Sequence, residues 1–484
     1  MPQSRKGGYC TILSFFPWFA LSLFYIPSHF VSSAMIKKLG MITVPLVGSQ
    51  LASIGIMTTD IMMMGQLSVF DLASGSLAIR YYQPLYFFFL GLTAVIAPLI
   101  AQAIGKKDLG EARRTFRQGL VIAMALGLLF IPLVIYGAPI LTLLGQGADV
   151  AQNATGFLLW TALSMPLFFL FLVFRFFVIG NQKTTIQLIV TLSGLGMNMV
   201  LNPLFSKGGL GVPALGLDGI AIATLLSYLM MNVMMACYVR FHPEFRQFQL
   251  FTRLWRIDFG LMARIIRLGI PNAVIVLSET GMFVVAGFMI GTFGTAPLAA
   301  AGISNQIAAI AFMVPLGISQ AAAILVGRAA GENSVSDVGK AGWSAHILGL
   351  IIAVPMTAIL LLFPDWLTGF FITEEDPNYD ATLPFVVAML FFVGLFQLFD
   401  GLQIIAGAKL RGINDTKIPA MIALLCYWGV GIGTAYLFAF WFDFGPASIW
   451  GGLGIGLGAA ALITTWRWAW HLSQIAKGRQ ILVG

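Results

Sequence analysis

Three acidic side chains lie deep inside apolar stretches of this sequence. They are Asp60 in "TTDIMMMG", Glu279 in "VIVLSETGMFVV" and Asp400 in "GLFQLFDGLQII", and no Lys or Arg lies close in sequence to pair with any of them. An ionised carboxylate at the centre of a bilayer costs about 2.5–3.5 kcal/mol on insertion scales. Such a group either takes up a proton or holds a cation. The pattern therefore favours an ion or proton pathway, and the alternative is an acid hydrogen-bonded into a helix interface.

The composition indicates that these acids belong to membrane-spanning helices. Of the 484 residues, 59% are hydrophobic and 10% are charged, and the mean hydropathy is +0.91. Soluble domains carry about 25% charged residues. The apolar blocks are about 20 residues long, which is the length a helix needs to cross the hydrocarbon. We therefore predict an all-α polytopic membrane protein.

Twelve main spans are predicted, with an additional apolar stretch at 9–30 before them. The predicted spans are 42–64, 77–104, 119–138, 152–179, 184–206, 214–239, 262–290, 297–327, 342–363, 381–407, 417–440 and 449–473.

The basic residues predict how these spans are oriented. If Lys37 and Lys38 are cytoplasmic and the spans alternate, the segments "GKKDLGEARRTFR", "RFHPEFRQFQLFTRLWR" and "KLRGINDTK" all lie inside. Of the 27 Lys and Arg residues, only Arg80 and Lys207 then fall outside. This is the positive-inside pattern, with both ends of the twelve-helix core cytoplasmic. It explains the net charge of +8 without a nucleic-acid partner.

Residues 1–35 do not fit this topology, because basic residues flank the apolar stretch on both sides. We treat them as an N-terminal extension. A signal peptide with a small-residue site near "SSAM" and an interfacial or non-native extension both remain open.

An internal repeat divides the rest of the chain. Residues 45–105 align without gaps on 271–331, an offset of 271 − 45 = 226. Six spans per half is an even number, so both halves enter the membrane in the same orientation. We therefore predict two six-helix lobes, 36–255 and 256–484, related by a pseudo-twofold axis along the membrane normal.

The repeat separates the acids. Asp60 aligns with Ala286 and Glu279 aligns with Ser53, so these two acids are seven residues, or about 10 Å, apart along their helices. We predict that Glu279 and Asp400 converge on one cation-binding spot, a metal site if the ion is Na⁺. Asp60 would serve the first lobe.

Several amides are candidates for lining a cavity that we expect between the two lobes. Asn198 and Asn202 are four residues apart, so they share a helix face and can bond Asp60. Gln306 and Gln397 could line the cavity, and Gln50 is a weaker candidate whose alternative is ordinary packing. For the asparagines the alternative is interhelical packing, where such bonds contribute little.

The sequence resembles the multidrug and toxic compound extrusion (MATE) family, in its NorM-type branch. The resemblance rests on "PLVGSQLASIGIMTTDIMMMGQLSVFDLAS", "LLGQ", "MNMVLNPLF", "LGIPNAVIVLSETGMFVVAGFMIGTFGTAPLAAAGISNQI" and "FDGLQIIAGAKLRGINDTKIP", and it runs from about Lys37 to the C-terminus. It implies a twelve-helix, two-lobe antiporter with a V-shaped central cavity. It also implies export of organic cations and drugs in exchange for Na⁺ or H⁺.

The same resemblance implies roles for individual residues. Asp60 matches the first-lobe acid, and Glu279 and Asp400 match the cation-coupling acids of the second lobe. Asn198 and Asn202 match polar positions of the fifth span, where some branches carry Asp. A related position that is Tyr in some members is Phe396 here.

The expected partners are membrane lipids and small organic cations, with no cofactor beyond the transported ion. We expect a monomer in the bacterial inner membrane. An intramembrane protease is disfavoured, because no GxGD motif occurs. A lipid-linked precursor flippase of a related superfamily is the alternative function, but such proteins tend to line the cavity with basic residues.

Overall fold

The computed structural model describes residues 32–209, 211–252, 254, 256–372 and 379–477. Most of the predicted N-terminal extension, 1–31, lies outside the described residues, as does 373–378 of the acidic loop. Twelve helices in the described part of the chain are long and apolar enough to cross a membrane, and each contains or overlaps one predicted span. The predicted helical fold is therefore confirmed.

These helices are called spans 1 to 12. In order they are Ser33–Leu67, Val69–Gly105, Leu109–Ile135, Ala148–Gly180, Thr184–Ser206, Gly216–Phe241, Phe259–Gly291, Thr295–Gly331, Val335–Leu362, Tyr379–Gly412, Lys417–Trp441 and Ser448–Ile475.

Two spans are irregular. Span 2 consists of the helices Val69–Thr93 and Ile96–Gly105. The break lies just before Pro98, whose missing N–H and ring disturb the helix four residues earlier. Span 11 contains two π-helical segments, Leu425–Ile432 and Leu437–Trp441. Such segments are rare and frequently occur at functional sites.

The repeat is visible in the backbone. Lys107 and Asn333 lie 226 residues apart, and both have left-handed conformations, with φ of 61° and 56°. The next residue caps the following helix in both halves. The side chains of Asp108 and Ser334 each accept a hydrogen bond from the backbone N–H three residues further on, at 2.8 Å and 3.3 Å. These caps satisfy N–H groups that a helix start leaves without partners.

The chain forms two compact units. The first unit is Ile42–Leu277, and the second is Ser278–Gly484 with the described residues up to Met41. The chain therefore passes from one unit to the other inside spans 1 and 7. Within the first unit, span 4 packs against spans 2, 3 and 6, and within the second, span 10 packs against spans 8, 9 and 12. The predicted lobe boundaries at 36–255 and 256–484 stay a prediction.

Candidate functional site

The first unit contains a carboxylate surrounded by hydrogen-bond donors. Asp60 on span 1 is only 9% exposed. Its Oδ1 accepts hydrogen bonds from the Nδ2 atoms of Asn198 (3.0 Å) and Asn202 (2.8 Å) on span 5. Its Oδ2 accepts a third from the hydroxyl of Thr224 on span 6, at 2.8 Å. The structure thus brings the two predicted asparagines to Asp60, and their role in transport stays a prediction.

The donors around Asp60 are themselves connected. Asn198 and Asn202 are fully buried, one helical turn apart, and the Asn202 amide donates to Asn198 Oδ1 at 3.1 Å. The Asn198 amide also donates to the Thr224 hydroxyl oxygen at 3.1 Å. Donors converging on one carboxylate stabilise its negative charge. The same bonds join spans 1, 5 and 6. They are therefore also expected under the alternative interpretation, in which Asp60 only holds a helix interface together.

Gln50 lies elsewhere on span 1, beside a buried cation. It accepts a hydrogen bond from the guanidinium of Arg175 on span 4, which is 4% exposed. In the amide orientation that satisfies both groups, Gln187 of span 5 accepts from Arg175 Nε at 2.6 Å. Gln50 therefore helps to stabilise a buried positive charge through its carbonyl oxygen. Whether it also contacts substrate stays a prediction.

The second unit contains the other two deep acids. Asp400 on span 10 is 3% exposed, and Glu279 on span 7 is half-buried. The two carboxylates interact electrostatically with each other. Asp400 Oδ1 has no hydrogen-bond partner. The structure thus brings together the pair that the sequence predicts as the cation-binding spot, and its role stays a prediction.

Three aromatic rings in mutual contact lie next to this acid pair. Phe396 stacks on Trp450 with ring centroids 5.6 Å apart and an interplanar angle of 11°, and Phe283 contacts both rings at 6.2 and 6.0 Å. Phe283 is one turn after Glu279, and Phe396 is one turn before Asp400. Because spans 7 and 10 run in opposite directions, these residues lie on the same side of the acid pair. The rings therefore form an apolar wall against it.

The two predicted glutamines of the second half differ in environment. Gln397, one turn before Asp400, is 1% exposed, and neither of its amide atoms has a hydrogen-bond partner. It lines a small cavity of about 10 Å³ together with Pro315 and Met356, which is space for one water molecule. The Gln306 side chain is exposed. Roles for both residues in the substrate cavity stay predictions.

Three polar residues near the acids were not predicted from the sequence: Thr224, Gln403 and Tyr427. In the described part of the chain, no group of three or more His, Cys, Asp or Glu side chains could hold a metal ion. A metal cation at Glu279 and Asp400 would therefore need neutral oxygen ligands as well. Gln403 has the spacing that could have revealed it, since it is one turn after Asp400. Thr224 and Tyr427 carry no such signal.

Comparison with known proteins decides the family. The MatE family model matches residues 45–204 and 271–437, and the two matches begin 226 residues apart, at the offset of the internal repeat. The chain belongs to the MatE family. This confirms the resemblance seen in the sequence. Because MatE proteins are transporters, it also confirms that the chain is not an enzyme.

Curated relatives and solved structures agree with this assignment. A probable multidrug resistance protein NorM from Rhizobium meliloti is 37% identical over 426 residues, 88% of this chain and 90% of that protein. One from Pseudomonas putida is 34% identical over 88% of this chain and 92% of that protein. The structure of a MOP-superfamily transporter from Pyrococcus furiosus matches with a TM-score of 0.84 at 18% identity, covering 94% of this chain and 98% of that one. This last likeness concerns the fold alone.

Proposed function

We propose that this MatE protein exports organic cations and drugs across the membrane in exchange for Na⁺ or H⁺, by alternating access. Its curated relatives carry the name of multidrug resistance proteins. The chain's own residues support the cation exchange, because both units hold buried carboxylates inside apolar spans.

The observation that carries the proposal is the absence of a hydrogen-bond partner for Asp400 Oδ1. A buried carboxylate normally has a basic partner or a full set of hydrogen bonds. Asp400 is 3% exposed, its Oδ1 has no partner, and its charged neighbour is the acid Glu279. Two neighbouring carboxylates inside apolar spans do not both stay ionised without a compensating cation. A transported Na⁺ or H⁺ supplies that cation.

The proposed cycle uses the two sites in turn. In the outward-facing protein, Glu279 and Asp400 bind Na⁺ or H⁺, which weakens drug binding and releases the drug. After the protein has reset, a lipophilic cation binds from the inside, with Asp60 and its asparagines as the substrate-side or proton-linked switch. One unit charge moving inward at 100 mV supplies about 2.3 kcal/mol.

Neutral variants of the acid pair test this cycle. We expect Glu279→Gln and Asp400→Asn each to abolish ion-dependent drug accumulation in everted vesicles, because each removes half of the carboxylate pair. Glu332→Gln is the matched control, since Glu332 is an exposed acid in the loop after span 8. Full drug transport and unchanged ion dependence in either acid variant would refute the assignment.

The coupling ion is measured separately. Purified protein in proteoliposomes would be given either a Na⁺ gradient or a pH gradient, and drug-induced ion flux would be recorded. If the drug induced no ion flux under either gradient, cation coupling as a whole would be refuted.

We also propose the cellular setting from the charge pattern. Both ends of the twelve-helix core would be cytoplasmic, in a monomer of the bacterial inner membrane.

The alternative function, a lipid-linked precursor flippase, would need free basic groups to recognise phosphate. Arg175, the buried guanidinium of the first unit, is instead engaged by the carbonyl oxygens of Gln50 and Gln187.

A further inference from the structure

The first unit has a groove at the end of span 6 that the transport cycle does not use. The groove has a volume of about 290 Å³ and is lined by Ala236, Cys237, Arg240, Phe241 and Phe251. Among these five side chains, Arg240 is the charged one. Ala, Phe and an unpaired Cys are all apolar in character. The groove, called here the span 6 groove, therefore combines an apolar lining with one cation.

The span 6 side of the groove follows from the order of small and large residues. Ala236 and Arg240 are one helical turn apart, as are Cys237 and Phe241, so the four residues form adjacent strips of one helix surface. The small pair leaves the space, and the large pair follows about 6 Å further along the helix, in its last turn. The cation is thus at the end of the span, and the small apolar residues lie one turn deeper.

The other side of the groove is held in place by a buried arginine. Arg117 of span 3 is 6% exposed, and its guanidinium donates hydrogen bonds to the Leu250 backbone oxygen at 3.2 Å and to the Thr252 hydroxyl at 2.9 Å. These two residues flank Phe251, whose ring also contacts the Phe174 ring of span 4 with centroids 6.4 Å apart. The groove is therefore formed by the fold itself and does not depend on an occupant.

The charge around the groove favours an anionic occupant. The segment 240–256 holds four arginines and one acid, Glu244. The Glu244 carboxylate already pairs with Lys183 at 2.7 Å. Arg240 is exposed and lies 5.9 Å from the centroid of the Phe241 ring. Under the predicted topology this end of span 6 is cytoplasmic, where basic clusters next to a span attract anionic lipids.

We propose that the span 6 groove binds one anionic phospholipid of the cytoplasmic leaflet. Its acyl chain would lie along Ala236, Cys237 and Phe251, and its phosphate would accept hydrogen bonds from the Arg240 guanidinium, which can bond two phosphate oxygens at once. The lipid is a bound partner and not a transported substrate, because the groove lies at the end of one span. The inference rests on the predicted orientation of the spans and is independent of the transport cycle.

Lipid binding to the purified full chain in detergent tests the inference. Native mass spectrometry would give the apparent affinity for phosphatidylglycerol and for phosphatidylcholine with the same acyl chains. The variants are Arg240→Gln, which removes the cation, and Cys237→Trp, which fills the groove and keeps the charge. Arg246→Gln is the matched control, since Arg246 is an exposed arginine of the same segment that does not line the groove. Thermal melting followed by circular dichroism would confirm that each variant is folded.

Thiol labelling then locates the bound lipid. Cys237 is exposed and Cys426 is buried. In a Cys10→Ser background, the rate at which a maleimide reacts with Cys237 would be measured with either lipid added. Phosphatidylglycerol should slow this reaction more than phosphatidylcholine does, and Arg240→Gln should remove the difference.

We expect Arg240→Gln to weaken phosphatidylglycerol binding by about fivefold, the effect of one basic residue at an anionic membrane surface. Cys237→Trp should weaken it as well, and Arg246→Gln should bind like the wild type. Equal affinity of the wild type for both lipids would overturn the inference. So would unchanged binding in folded Arg240→Gln and Cys237→Trp. An equal loss in Arg246→Gln would also overturn it, because the basic segment as a whole, and not the groove, would then attract the lipid.

Discussion

Thr224→Val tests whether Asp60 is held as a charged carboxylate. Valine has nearly the shape of threonine but no hydroxyl, so the variant removes the one donor to Asp60 Oδ2, at 2.8 Å. A hydrogen bond to a charged group contributes about 1.5–3 kcal/mol to stability. Interhelical hydrogen bonds in membrane proteins average only about 0.6 kcal/mol. The size of the loss therefore distinguishes an ionised Asp60 from a neutral one.

A double-mutant cycle isolates this interaction. The free energy of unfolding would be measured by denaturing-detergent titration at pH 8 for Thr224→Val, Asp60→Asn and the double variant. We expect a coupling energy of about 1.5–3 kcal/mol between the two positions. Thr191→Val is the control, because Thr191 is a buried threonine whose hydroxyl donates to the backbone oxygen of Gln187 in its own helix, at 2.8 Å.

Two outcomes would refute this reasoning. A coupling energy of about 0.6 kcal/mol or less at pH 8 would mean that Asp60 is not held as a charge by this network. A coupling of Asp60 to Thr191 as large as its coupling to Thr224 would mean that loss of a buried hydroxyl, rather than the contact, causes the effect.

Two further predictions concern contacts outside the apolar centre of the spans. Glu111→Arg should lower the free energy of unfolding by about 0.5–1 kcal/mol, because it breaks the 3.2 Å ion pair with Arg264. Adding Arg264→Glu reverses the pair and should restore the lost stability. A double variant that is no more stable than Glu111→Arg alone would contradict this prediction. Burial opposes ionisation of Asp415, but hydrogen bonds from His471 (2.9 Å) and Arg467 (2.6 Å) outweigh it and hold the pKa of this carboxyl below its usual value. The ionised Asp415 then stabilises the fold fully at pH values above its ordinary pKa of about 3.9, and this stabilisation is lost as the pH falls through its lower pKa in the folded protein. Asp415→Asn should therefore destabilise the protein at pH 7 and have no effect in strong acid. A loss of stability that does not change with pH in the same unfolding titration would contradict this prediction.

The positions of the spans were predictable because hydropathy alone determines them. Their ends were not. Span 1 begins at Ser33 rather than at residue 42, and span 10 continues to Gly412 rather than ending at 407. A helix can continue beyond the hydrocarbon, where Lys37 and Lys38 are tolerated, and hydropathy does not record that continuation.

The two sites were predictable to different degrees. The four-residue spacing of Asn198 and Asn202 placed both on one face, and the structure shows that face turned to Asp60. Thr224 could not be predicted, because a threonine in a helix usually bonds its own backbone and only the packing of span 6 reveals otherwise. The direction in which the Tyr427 side chain points depends on a π-helical turn, and hydrophobic periodicity does not indicate such a turn.

The repeat explains why the two halves share a scaffold but differ in chemistry. The loops at Lys107 and Asn333 have the same left-handed turn and the same cap, because a helix start constrains the backbone in both halves. The interior of a span carries no such constraint. Ser53, the counterpart of Glu279, donates to the backbone oxygen of Ser49 in its own helix at 2.9 Å. A residue there can change without disturbing the helix.

The surroundings of the acids then suit different occupants. Asp60 is surrounded by donors: two amide groups and one hydroxyl. Asp400 has a second carboxylate beside it and oxygen atoms without partners. These donors stabilise the negative charge of Asp60 without a cation, which is consistent with the substrate-side or proton-linked role proposed for it. An acceptor oxygen without a donor favours a positive charge beside it, which supports our proposal that the coupling ion binds at Glu279 and Asp400.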